Sequence, residues 1–144
     1  MTLPKVSFYL LKQGTPEDKL RAACRLGRKA VVAGHTVYIL APDAEQARHL
    51  DDLLWTYEAG SFVPHRLDGD EADPAPIVIG RDPPETDPPD VLIALGRNMP
   101  DHFHVYRRIA EIVDGTGEDK QLARQRYKVY RERGCELETH HIAA

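Results

Sequence analysis

The chain has 144 residues, 42% of them hydrophobic and 29% charged, with a net charge of -4. That length suits one domain with a real core. The hydrophobic fraction is too high for a disordered chain, and no apolar run approaches the ~18 residues a spanning helix needs. Cys24 and Cys135 lie far apart with no CxxC pairing, which argues against a disulfide framework and a structural zinc site. The opening Met1-Thr2-Leu3-Pro4-Lys5 lacks the features of a signal peptide, so the expected location is cytoplasmic.

Val6-Ser7-Phe8-Tyr9-Leu10-Leu11 is rich in β-branched and aromatic residues, the pattern of a strand buried on both sides. Thr15-Pro16-Glu17-Asp18 is a helix start, with Thr15 as N-cap and acids in the first turn. Leu20, Ala23, Cys24, Gly27, Ala30 and Val31 then recur at helical spacing until Gly34. Inside that stripe Cys24 is a small core residue, not a nucleophile. Val37-Tyr38-Ile39-Leu40 predicts a second strand, and Asp43-Ala44-Glu45-Gln46 a capping box. The helix it opens has Ala47, Leu50, Leu54 and Tyr57 as its core stripe. Two successive βα units imply a three-layer α/β domain, with a mainly parallel central sheet and helices on both faces.

Beyond Tyr57 the regularity weakens. Pro64 restricts Val63, so Ser61-Phe62-Val63-Pro64-His65 is extended. Residues 68–90 hold eight acids, the single base Arg81 and six of the eleven prolines around Ile77-Val78-Ile79. They predict a short strand between exposed, mobile acidic loops. Asp90-Val91-Leu92-Ile93-Ala94-Leu95 predicts a buried strand. Between Arg107 and Val113 strand and helix patterns compete, and length favours strand. A helix follows from about Glu118 to Arg133, closed by Gly134, with an edge strand over Cys135 to Thr139. Residues 1–144 form one domain without an internal repeat.

Tests for chemistry return little. Neither GxGxxG nor GxxxxGK followed by Ser or Thr occurs, so no phosphate loop is expected after the first strand. Gly115-Thr116-Gly117 is a turn before the last helix. GxSxG and HExxH are absent. The pairs His102/His104 and His140/His141 lack the carboxylate or cysteine spacing that fixes a metal. No catalysis, cofactor or metal is expected.

Two features stand above this background. Residues 120–133 carry six bases against Glu132, a local +5 that leaves -9 on the remainder. On a helix, Lys120, Arg124, Tyr127 and Arg131 fall within about 60° of one another, with Lys128 at the edge. Leu122 and Val129 point to the far side, with Ala123 and Tyr130 nearby. Arg126 falls in the apolar arc, so its stem must pack or its head must meet a buried acid. Such a stripe suits a carboxylate or phosphate flanked by an apolar group. The second feature is Trp55, about 120° from its helix's core stripe and so directed outward, with Phe62 close behind. The competing geometry ends the helix before Trp55 and folds the ring into the core.

The blocks Phe8-Tyr9-Leu10-Leu11, Leu50-Asp51-Asp52-Leu53-Leu54-Trp55, Ser61-Phe62-Val63-Pro64-His65 and Lys120-Gln121-Leu122-Ala123-Arg124-Gln125-Arg126-Tyr127-Lys128-Val129-Tyr130-Arg131 resemble the chi subunit of bacterial DNA polymerase III. The resemblance implies a nucleotide-binding-like fold without the nucleotide site. It implies a non-catalytic accessory subunit that links the clamp loader, through psi, to single-stranded-DNA-binding protein (SSB). Carried over by motif, Lys120, Arg124, Tyr127 and Lys128 correspond to a site for the acidic, phenylalanine-ended SSB tail, and Trp55 and Phe62 to a psi-facing patch. Single-stranded DNA is then met indirectly, and no membrane is involved. Two other readings compete: a small nucleotide-dependent enzyme with a degenerate phosphate loop, and a direct single-stranded nucleic-acid binder using residues 120–133.

Overall fold

The computed structural model describes residues 3–12, 14–56, 64–69 and 75–142. Seven strands, β1 (Lys5–Leu11), β2 (Val37–Leu40), β3 (His65–Leu67), β4 (Ile77–Gly80), β5 (Val91–Ala94), β6 (Arg108–Val113) and β7 (Glu136–Ile142), form one sheet. Their order is β3-β4-β2-β5-β6-β1-β7, and every pairing is parallel. The helices are α1 (Pro16–Val32), α2 (Ala44–Thr56) and α3 (Gly117–Glu132), with one 3-10 turn at Phe103–Val105.

Local chemistry sets the helix ends. Thr15 and Asp18 close a reciprocal capping box on α1, and Asp43 Oδ1 accepts the Gln46 amide at 2.8 Å to start α2. At the other end α1 and α3 stop alike. Gly34 (φ 95°) and Gly134 (φ 88°) take the left-handed conformation that side chains resist. The amide of each glycine and of the next residue then bonds back to the last helical turn.

Crossover direction sets the layers. α1 and α2 carry the chain toward β3, whereas α3 carries it from β6 to β7, so right-handed crossovers place α3 on the opposite face. Leu20, Ala23, Cys24, Leu50 and Leu54 bury against Val37, Ile39, Ile77 and Ile93 on one side. Ala123 and Tyr130 bury against Val6, Phe8, Ile109 and Val113 on the other. The α/β sandwich expected from the sequence is therefore present. Burial pushes the Cys24 thiol up to about 12, which keeps it a protonated core group.

Several details differ from expectation. β7 continues to Ile142 rather than ending at Thr139, because its backbone ladder with β1 holds residues whose side chains carry no strand pattern. His140 stacks on Tyr9 there, with ring centroids 4.9 Å apart. Tyr57 and residues 61–63 lie outside the described residues. In the acidic segment, residues 68–69 and 75–90 are described and are anchored to the sheet. Tyr38 donates to Asp68 at 3.0 Å and accepts the Asp82 amide at 3.1 Å, and Tyr106 donates to the Pro84 carbonyl at 3.0 Å.

β1 and β6 are neighbours whose chains leave toward opposite faces. Such a divergence opens the crevice where α/β sheets bind ligands. Here Lys19 of α1 and Asp119 of α3 meet across it at 3.1 Å, both buried. Asp119 also accepts the Asp114 amide at 2.9 Å.

Candidate functional site

The rotation of α3 decides what it offers to solvent. Its inward face is built on charge as much as on hydrocarbon: Asp119, Ala123, Arg126 and Tyr130 are buried. Arg126 Nε stands 3.3 Å from Glu111 Oε1, and Tyr130 donates to Glu111 Oε2 at 2.8 Å. Arg126 also donates to the Arg97 carbonyl at 2.7 Å. Burial pushes the Glu111 carboxyl upward, opposed by Arg126 and by the Tyr130 hydroxyl. The buried acid that Arg126 needed is thus Glu111. The buried arc centres about 80° from the Leu122–Val129 direction, and both of those residues are half-exposed.

That rotation lowers Tyr127 onto the sheet. Its ring meets Phe8 at 5.5 Å between centroids, so it is half-buried and not a fully outward group. Phe8 and Leu10 of β1, with Ala123 and the Tyr127 ring, line an open hollow of about 420 Å³. Lys120 and Arg124 rim it from α3, while Thr139 and His141 of β7 form the opposite side. Of the four residues expected at the tail site, Lys120, Arg124 and Tyr127 therefore meet in one place. Lys128 is exposed on α3 and does not line the hollow.

Among the described residues no acid lies within ion-pair distance of Lys120 or Arg124. The hollow on the reverse face of β1 and β7 differs. Its Lys5 and His140 both meet Glu138, at 2.9 and 3.2 Å. Cationic groups over an apolar floor, with their charge unspent, suit an anion that carries a hydrophobic group.

Trp55, near the carboxyl end of α2, is 61% exposed. Its ring meets His65 of β3 edge-on at 5.1 Å, and His65 Nε2 lies 3.2 Å from Asp51 Oδ1. Of the sequence's two geometries for Trp55, the outward one holds. Phe62 lies outside the described residues. The sequence reading missed Phe8, Leu10, Thr139 and His141 as parts of the hollow. The alternation of β1 could have flagged Phe8, but the β1–β7 register has no local signal.

Among the described residues no group of three or more His, Cys, Asp or Glu is placed to hold a metal ion, and no helix is long and apolar enough to cross a membrane. Comparison with known proteins gives one consistent result. The profile of the family described as DNA polymerase III chi subunit, HolC, matches residues 3–138. A protein of Pseudomonas aeruginosa named DNA polymerase III subunit chi is 34% identical over 140 residues, 97% of this chain and 98% of the relative. Its namesake from Escherichia coli is 34% identical over 143 residues, covering 95% and 97%. The Haemophilus influenzae protein of that name is 31% identical over 137 residues, covering 94% and 95%. With the profile and the relatives alike spanning nearly the whole chain, the chain belongs to the DNA polymerase III chi subunit family.

Proposed function

We propose that this replication accessory subunit is a non-catalytic adaptor, with psi on one surface and the acidic C-terminal tail of SSB on another. The observation that carries the reading is the hollow beside α3. Its apolar floor fits the terminal phenylalanine of such a tail, and Arg124 can grip the terminal carboxylate with two parallel hydrogen bonds. Lys120, with Lys128 further along the helix, attracts the upstream acids. Single exposed charges bind weakly, so one tail binds modestly and salt weakens it. Several tails on one SSB oligomer gain by avidity.

Trp55, with Phe62, supplies the psi-facing patch in this reading. The two surfaces lie at opposite edges of the sheet: Trp55 touches β3, and the tail site is walled by β7. Six strand spacings separate those edges, about 29 Å, which leaves room for both partners at once. Contact with single-stranded DNA is indirect, through SSB, and the working compartment is the cytoplasm. An adaptor is favoured over a nucleotide-dependent enzyme because Lys19 and Asp119 fill the β1–β6 crevice.

Calorimetric titration with an acidic peptide ending in phenylalanine tests the tail site. Binding that is lost on removing the phenylalanine, and again in Arg124→Ala, supports it. An intact, folded protein that ignores the peptide at low salt refutes it.

A further inference from the structure

We infer that His141 is a recognition residue on the far bank of the α3 hollow, and that it makes capture of an acidic, carboxylate-ended peptide depend on protonation; this rests on the tail-binding reading above. His141 is the register partner of Leu10, which is part of the hollow's floor, and its side chain is exposed. A group lying on Phe8 and Leu10 therefore has Lys120 and Arg124 on one side and His141 on the other.

The surroundings of the imidazole isolate its effect. α3 turns Lys120, Arg124 and the Tyr127 phenol toward the hollow, β1 contributes only apolar side chains, and β7 adds the neutral Thr139. Among the described residues no carboxylate lines the hollow, so an imidazolium there finds its counter-charge in the ligand. The neighbouring His140 belongs to the reverse face, against Tyr9 and Glu138. Among side chains of these types, imidazole is the one that ordinarily gains charge between about pH 8 and pH 5.5. The carboxylates of an acidic peptide remain ionised over that range. Proton and peptide thus favour each other: falling pH adds a third cation to the two already on the rim.

The test is calorimetric titration of the full chain with an acidic phenylalanine-ended peptide, at about pH 8 and about pH 5.5 and constant ionic strength. Wild type is expected to bind about two- to five-fold more tightly at the lower pH. His141→Gln abolishes that gain, His140→Gln retains it, and His141→Lys holds the tighter affinity at both values. A full pH response in His141→Gln overturns the inference, as does a lysine variant that binds no better than glutamine at the higher pH. A wild type that fails to bind at either pH overturns the tail reading itself, and this inference with it.

Discussion

Behind Arg124 and Lys120 lies a hollow assembled from β1, β7 and α3, whereas the Trp55 ring meets the His65 imidazole, held by Asp51, at an edge-on angle. The first surface is a shallow slot with charge around it, and the second is a large ring standing proud of the helix. In the proposed reading, one receives an aromatic group and the other presents one. The difference teaches how two partners can be kept apart on a small domain: a soft anionic peptide needs a slot and fixed cations, while a folded partner can bring its own slot for a tryptophan.

The largest expected effect comes from breaking the support of the first surface. Arg126→Met strands the buried Glu111 without its cation and costs about 3–5 kcal/mol in urea denaturation. The pair Glu111→Leu with Arg126→Met restores most of that loss. Peptide binding falls with α3 in the single variant even where the fold survives. Trp55→Ala is expected to cost about 2 kcal/mol, roughly thirty-fold, in affinity for psi measured by interferometry, with peptide affinity unchanged. A joint loss would break the claim that the surfaces are independent. Arg124→Ala weakens the peptide by about 1.5 kcal/mol, roughly tenfold, and leaves the thermal midpoint where it was, because the side chain is exposed. Lys128→Ala, outside the hollow, costs about two-fold at low salt, and the difference disappears at high salt. A Lys128 effect as large as that of Arg124 would move the site along the helix and off the β1 floor.

What was legible in the sequence was local. The N-cap at Thr15, the helix stops at Gly34 and Gly134, and the β-branched runs state their structures within a few residues, so order and class of the elements followed. The stripe on α3 was legible for the same reason, but its rotation was not. Apolarity placed the inward face near Leu122 and Val129, whereas Asp119 and Arg126 both lie within the buried arc. They do so because their counter-charges, Lys19 and Glu111, arrive from other elements; Lys19 and Asp119 are 100 positions apart. The far bank of the hollow depends likewise on the pairing of β1 with β7, which only the assembled sheet reveals.

The position of β1 has a consequence for how the chain comes off the ribosome. It is the first strand made, yet both of its neighbours, β6 and β7, come from the last third of the sequence. At translation speeds of ~5–20 residues per second, its apolar segment waits on the order of 5–20 s for its first pairing partner. Long-range parallel pairing of this kind is slow to form and exposes sticky surface meanwhile. α2, bearing Trp55, is complete long before, while the slot beside α3 has no far bank until β7 docks. A nascent chain can therefore show its tryptophan early, but only one that has finished folding presents the complete slot.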